Sequence, residues 1–208
     1  MKVLVWAAIA SAAVSVSGCA TSTAHYSPPT ASQVSASKTV ATPFDATWDK
    51  LVKNLASDFF VINNIDKNSR LINVSFSSDR PSDYVDCGFS SRTFKNARGE
   101  SSYNYRTADS AQFTFANKDG MAFNVNRKTR LEGRINVYVA PEASGTVVNA
   151  NVKYILGVNI VSAPLGGGVP ATANIQADFS TKAPYVGSDF TCHANGAIES
   201  RVLGFVER

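Results

Sequence analysis

The sequence predicts an α+β domain in which one curved antiparallel sheet of about six to seven strands carries a long N-terminal helix and a short C-terminal helix. Three observations predict this fold class. Apolar residues recur at helical spacing over residues 44–59 and again over 198–206. Between these stretches, several segments alternate apolar and polar residues as half-buried strands do. Packing both helices on one face of the sheet would bury both apolar stripes.

The first residues have the features of a secretory signal peptide, predicted to cover residues 1–18. Lys2 precedes an apolar run, 3–16, that is too short to span a bilayer and ends in small residues. The closing sequence Val16-Ser17-Gly18-Cys19 resembles the lipobox of bacterial lipoproteins, although leucine is commoner where Val16 stands. The resemblance implies that the Cys19 thiol receives a diacylglyceryl group and becomes the first residue of the mature protein. The alternative is a secreted protein with a chance cysteine.

Residues 19–37 are predicted to be the lipidated cysteine and a flexible tether, leaving residues 38–208 as a single α+β domain. The tether is rich in Ser, Thr, Ala and Pro and has no periodicity. Ala20 stands where an inner-membrane retention signal would have aspartate. We therefore expect an outer-membrane lipoprotein that faces the periplasm, if the organism has two membranes.

Composition excludes some other classes. The hydrophobic fraction of 44% and the charged fraction of 17% are those of an ordinary globular domain. The formal net charge is +4, but the basic residues are scattered, so no nucleic-acid surface is predicted. After the signal, no run is long and apolar enough for a transmembrane helix, so the expected membrane attachment is through lipid.

The chain has three cysteines, and an odd number in an exported protein requires an explanation. A lipid on Cys19 leaves Cys87 and Cys192, and the periplasm is oxidising. A Cys87–Cys192 disulfide is therefore predicted, with two separate buried thiols as the alternative.

The first helix has the clearest pattern. Thr42 is a capping residue, Pro43 takes the first helical position and Asp45 lies three residues after the cap. One face then carries a row of large apolar residues, which predicts a surface helix lying on a core: Phe44, Trp48, Leu51, Val52, Leu55 and Phe59.

The strands follow from alternation and turn signals. The polar stretch 77–110 is predicted to hold an irregular strand near Cys87 and a long loop. The predicted strands are 37–41, 61–65, 72–76, a hairpin turning at 117–120, 135–139, 148–160 and its partner 171–181.

The connection between the last two strands is flexible, apolar and uncharged. It holds Leu165, Gly166, Gly167, Gly168 and Val169 between two prolines. Such a segment either packs back on the body or is offered to a partner, and these residues are the predicted partner contact if it is offered.

The chain closes with Cys192-His193-Ala194-Asn195, followed by apolar residues at helical spacing, with Asn195 as the expected N-cap. The segments 44–76 and 192–206 resemble the helix-grip domains of outer-membrane lipoproteins similar to component C of the β-barrel assembly machine. The resemblance covers the order of elements and two helical segments. It implies an accessory protein of the bacterial envelope.

No catalytic or metal-binding set is found. The two histidines are His25, in the tether, and His193, and a disulfide would remove both candidate nucleophilic thiols beside them. Two cysteines and one histidine fall short of a zinc site. Three acidic residues, Asp79, Asp83 and Asp86, do not fit a calcium loop, and the glycine run at 166–168 lacks the residues of a phosphate loop.

One basic cluster remains: Arg127, Lys128, Arg130 and Arg134. Strand alternation would divide it between two faces of the sheet, which favours a solvated surface over an anion site.

Three functions are compatible with these patterns. The first is a lipid-anchored accessory or scaffolding protein that binds another envelope protein through a sheet edge, the 164–170 tip or the tether. The alternative is a binder of a small apolar ligand in a cavity between sheet and helix. An enzyme ranks last, because no acid, base or nucleophile set can be named. We predict no enzyme activity, no cofactor and no metal.

Overall fold

In a computed structural model of the chain, residues 19–30 and 33–207 are described. This part of the chain is mostly β, with antiparallel sheets and two helices. The predicted signal peptide, including Val16, Ser17 and Gly18 of the lipobox, lies outside the described residues. Of the helices within them, none is long and apolar enough to cross a membrane.

Most of the described elements are strands, and many neighbouring strands are joined as β-hairpins. The helices are α1 (Phe44–Ala56) and α2 (Ala197–Gly204), with a 3-10 turn at Pro81–Asp83. The strands are β1 (Thr21–Ser27), β2 (Ser37–Val40), β3 (Val61–Asp66), β4 (Leu71–Ser78), β5 (Val85–Asp86), β6 (Phe89–Asn96), β7 (Gly99–Arg106), β8 (Ala111–Ala116), β9 (Ala122–Glu142), β10 (Gly145–Pro164), β11 (Ala171–Ser180), β12 (Tyr185–Val186) and β13 (Thr191–Ala194).

A long hairpin of β9 and β10 forms the centre of the main sheet. The two strands have 21 and 20 residues, and they pair continuously from Gly145↔Glu142 to Pro164↔Phe123. The other edge of β9 pairs with β4 and, farther along, with β8; the other edge of β10 pairs with β2 and then β11. With β3 beyond β4, the main sheet has seven strands. The predicted strand 135–139 is therefore only the second half of β9.

Both helices cover one face of this sheet. Even-numbered residues of β10 and odd-numbered residues of β9 point into the core, among them Tyr154, Leu156 and Leu131, each fully buried. Leu51 of α1 and Ile198 of α2 are buried in the same cluster. Burying a side chain of this size contributes about 1.5–3 kcal/mol. The prediction of antiparallel β-structure with two helices is confirmed, but the described residues form three sheets, of which the main one has seven strands.

The N-terminal helix is shorter than predicted, so the prediction of a long helix is wrong. α1 has 13 residues and ends at Ala56. The Asp58 carboxylate accepts a hydrogen bond from the backbone N–H of Phe59 (2.8 Å), which holds the chain in a non-helical conformation just after the helix. Phe59 is consequently 42% exposed, and Phe60 takes the buried position.

Two smaller sheets lie beside the main sheet, one of β1, β6 and β7 and one of β5, β12 and β13. β6 and β7 form a hairpin inside the predicted long loop, and β1 pairs with β6 from Thr21↔Lys95 to Ser27↔Phe89. The predicted tether is therefore wrong for residues 21–27. The Tyr26 hydroxyl fixes β1 in place, because it accepts the Thr191 N–H (2.9 Å) and donates to the Cys87 carbonyl (3.1 Å).

Candidate functional site

Cys19 lies directly against the body of the protein. It is an exposed free cysteine, only two positions before β1 begins. A Cβ placed on Gly120, in the turn between β8 and β9, would lie 3.6 Å from the Cys19 Cβ. The predicted lipid attachment point is thus held beside a structured turn.

Three β-hairpin turns lie at the same end of the molecule as Cys19. The Ser22 hydroxyl accepts the Ala116 N–H (2.9 Å), which joins β1 to the end of β8. The register Thr21↔Lys95 brings the β6–β7 turn to the same place. The Leu165 N–H donates to the Ala122 carbonyl (2.8 Å), which joins the β10–β11 connection to the start of β9. We call Cys19 together with residues 97–98, 117–121 and 165–170 the Cys19 end.

The connection between β10 and β11 is exposed. We call residues 165–169 the hairpin tip; its Leu165 is 52% and its Val169 90% exposed. Added Cβ atoms on Gly166 and Gly167 would meet nothing within 4 Å. Of the two alternatives for this segment, packing back on the body is wrong, and the five residues predicted as a partner contact are accessible.

The two edges of the main sheet differ. β3, at one edge, has an irregular register between Ile62 and Asn64 and ends in Asp66, features that discourage another strand from pairing. β11, at the other edge, pairs regularly over ten positions, and residues 171–174 are exposed. Residues 154–177 contain no Asp, Glu, Lys or Arg. The β11 edge is therefore open to strand addition.

The outer face of the main sheet, opposite the helices, is polar. Cross-strand amides pair between Asn73 and Asn136 (2.6 Å) and between Asn159 and Asn174 (2.8 Å). An open depression beside Gly157 is lined by side chains of both kinds, amide and basic: Lys128, Arg130, Asn159, Asn174 and Gln176.

The structure places three residues of the predicted basic cluster on the outer face of the sheet and the fourth on the opposite face. Lys128, Arg130 and Arg134 are exposed on the outer face, where Arg130 bonds Asp79 (3.2 Å) and the Ser77 hydroxyl (2.9 Å). Arg127 is buried on the opposite face and donates to the carbonyls of Thr107 and Asp109. Burial lowers the pKa of Arg127. Its guanidinium thus ties a loop to the sheet, and the four basic groups do not converge.

The region between helices and sheet is filled. Leu51, Leu55, Tyr154 and Leu156 are all 0% exposed there. Such packing argues against the alternative prediction, a cavity for a small apolar ligand between sheet and helix.

A buried polar cluster lies under α2. The Glu199 carboxylate, 0% exposed, accepts hydrogen bonds from the Tyr154 hydroxyl (3.0 and 3.1 Å) and the Thr181 hydroxyl (2.7 Å). Thr181 in turn accepts the Val152 N–H (2.8 Å). Burial, with a smaller effect from the Glu199 charge, raises the pKa of Tyr154. The cluster joins α2 to β10, and its carboxylate and phenol are closed to solvent.

The predicted disulfide is confirmed: Cys87 and Cys192 are bonded across 105 positions of sequence. His193 follows directly, and its Nε2 is buried without a hydrogen-bond partner. Neither thiol is therefore available as a nucleophile beside His193. Asp79, Asp83 and Asp86 have separate partners: Arg130, Arg80 and the Gly88 N–H. Among the described residues, no group of three or more His, Cys, Asp or Glu could hold a metal ion.

Comparisons with a set of protein-family models, with curated proteins and with solved structures found no match. The resemblance to lipoproteins similar to component C of the β-barrel assembly machine therefore stays a prediction.

The sequence pointed to Cys19 and to the hairpin tip separately, but not to their proximity. The free β11 edge was also not singled out. One signal for that edge was present in the sequence, since 154–177 is a long uncharged stretch of strand-forming residues.

Proposed function

We propose that this protein is a bacterial lipoprotein, anchored in the outer membrane through acyl chains on Cys19 and facing the periplasm, where it binds another envelope protein as an accessory or scaffolding component. The observation that carries the proposal is the state of the three cysteines. Cys19 is exposed and free, whereas Cys87 and Cys192 form a disulfide. A disulfide is typical of an exported protein, and acylation would explain the one unpaired thiol. The role requires no catalysis.

The intact mass of the protein purified from membranes tests the anchor. We expect a mature chain that begins at Cys19 and carries a diacylglyceryl group and a further acyl chain. A C19S variant should lack this mass and leave the membrane fraction, because a chain without acyl groups loses its durable attachment. A mature protein with a free Cys19 thiol would show the proposal to be wrong.

The β11 edge is the surface that best fits a protein partner. An extended segment of another protein can add to an open edge by main-chain hydrogen bonds. Residues 171–174 are exposed and regular in register, whereas β3, at the opposite edge, is irregular. Exposed regular edges without charge are uncommon in proteins unless something covers them.

A pair of double variants tests this edge. T172K/N174K places two charges on β11, and N73K/S75K places two charges at alternate outer-face positions of β4, which lies between two other strands. Each double variant also removes one Asn–Asn amide pair. We expect capture of the partner from detergent-solubilised envelopes to fall roughly tenfold in T172K/N174K, because a charged edge blocks strand addition.

The N73K/S75K control should capture the partner as the unchanged protein does, since its charges leave the edge open. Equal capture by both double variants would exclude the β11 edge. If no preparation contains a stoichiometric partner, the result contradicts the accessory function itself.

A further inference from the structure

The hairpin tip and Cys19 belong to the same end of the molecule although 146 positions separate Leu165 from Cys19 in the sequence. Leu165 is hydrogen-bonded to Ala122 (2.8 Å), and the turn that precedes Ala122 approaches Cys19 at Gly120, where an added Cβ would lie 3.6 Å from the Cys19 Cβ. β1 begins at Thr21 and is paired from its first residue. Only Ala20 thus stands between Cys19 and the folded body, and one residue spans at most about 3.6 Å.

The Cys19 end exposes large apolar side chains. Leu165 is 52%, Val169 90% and Met121 55% exposed, and the first two lie in a stretch without charge. Apolar side chains grouped in this way are stabilised when an apolar environment takes them out of water. Three basic residues, Lys95, Arg98 and Lys118, are exposed at the same end together with two acidic ones, Glu100 and Asp119. The formal charge of these five is +1, which a bilayer surface with anionic headgroups tolerates.

We propose that the Cys19 end is a membrane-contact surface, in which Leu165, Val169 and Met121 enter the lipid bilayer beside the acyl chains on Cys19. This inference rests on the proposed lipidation, because acyl chains on Cys19 would bring the bilayer to within one residue of β1. A protein partner could also cover an apolar tip. The bilayer is the better fit, since the anchor delivers it to this end.

Membrane contact at three places would fix the orientation of the molecule. A single lipid attachment leaves rotation free, whereas Cys19, Met121 and the tip together define a plane. The long β9–β10 hairpin would then stand away from the bilayer and carry the β11 edge and the outer face with it. Gly167 and Gly168 have φ of 86° and 131°, a backbone that L side chains rarely adopt, so glycine permits the turn of the tip.

Depth-dependent fluorescence quenching tests the proposal on the acylated protein. The variants L165W and V169W place a reporter on the tip, and V61W is the matched control, since Val61 is also apolar and 61% exposed. Val61 lies in the row of Ser75 and Arg134. From Arg134 back to Phe123, β9 covers roughly 36 Å at about 3.3 Å per residue. The V61W reporter is therefore far from the Cys19 end. The native Trp48, 4% exposed, contributes the same background fluorescence in all three variants.

The variants are bound to vesicles of phosphatidylethanolamine and phosphatidylglycerol whose acyl chains carry bromine. We expect quenching in L165W and V169W at least about twofold stronger than in V61W, because side chains at the acyl-chain boundary lie within reach of the bromine atoms. Equal quenching in all three bound variants would overturn the membrane contact and leave the lipid anchor standing.

Two further results separate the possibilities. If the tip reporters stay unquenched and an L165D/V169D variant loses capture of an envelope protein, the tip binds protein and the inference is wrong. If none of the acylated preparations sediments with vesicles, the anchor itself fails, and the proposed function fails with it.

Discussion

Glu199 shows how a single residue holds two distant parts of the chain together. Its carboxylate is fully buried and is satisfied by the hydroxyls of Tyr154 and Thr181. A buried carboxylate costs several kcal/mol of desolvation unless such partners remain, so each hydroxyl has a large effect on stability. The helical spacing of 198, 202, 205 and 206 predicted α2, but nothing local shows that Glu199 faces inward, because its partners come from β10 and the end of β11.

Replacing Tyr154 by phenylalanine should lower the free energy of unfolding by about 1–3 kcal/mol at pH 7, because the buried carboxylate loses one donor. The pKa of Tyr154 is raised from 10.0 in the folded protein. Above pH about 10 the unfolded chain releases a proton that the folded protein keeps, so stability falls as pH rises. The contribution of the hydroxyl is thus fully present below pH about 10 and is lost above it.

Urea unfolding of the unchanged protein and of Y154F between pH 7 and 11 measures this effect. The difference in free energy of unfolding between the two proteins should stay constant up to pH about 9. It should shrink above pH about 10, because only the unchanged protein loses stability through Tyr154 there. Tyr138, 39% exposed on the outer face, supplies the control Y138F, whose free energy of unfolding should equal that of the unchanged protein. A Y154F difference that is independent of pH would contradict the assignment.

At the scale of elements, the smallest sheet depends on a covalent link. β13 pairs with β5 over only two positions, His193↔Asp86 and Ala194↔Val85, and the disulfide joins the neighbouring residues Cys192 and Cys87. Two paired positions alone would hold these strands weakly. The disulfide also lies next to the Tyr26 hydroxyl, which bonds the Cys87 carbonyl. It therefore supports the docking of β1 as well as the start of α2.

Replacing both bridged cysteines by alanine should lower the free energy of unfolding by about 4–5 kcal/mol, because a loop of about 100 residues is released in the unfolded chain. Urea denaturation measures the change, and C19S, which leaves the disulfide intact, is the control. Equal stability of C87A/C192A and C19S would show that the link contributes little to folding.

The long strands with one buried face were predictable, whereas β7 and β1, which bury neither face, were missed. The alternation over 148–160 is confirmed by β10, whose buried residues are every second one. β7 and β1 have no buried residue, and most of their side chains are exposed. Without a buried face there is no hydrophobic alternation to read, so these segments resembled a loop and a tether.

At the scale of the whole molecule, the described structure has two different faces and two different ends. Helices cover one face of the main sheet, and the other face is open and rich in amides. Along the β9–β10 hairpin, one end carries Cys19 and the hairpin tip, and the opposite end carries the turn between Glu142 and Gly145. This arrangement gives the proposed anchor, the β11 edge and the outer face distinct positions, which is the reason that each can be tested separately.

The sequence by itself determined the helical stripes, the long alternating strands and the pairing of Cys87 with Cys192, because periodicity and the odd number of cysteines are local or countable properties. Only the tertiary structure decided that β1 docks on β6, that Glu199 meets Tyr154, and that Cys19 lies beside the hairpin tip. The physical reason is that these contacts join segments far apart in the chain. Such contacts depend on strand pairing across the whole sheet, which a local pattern does not encode.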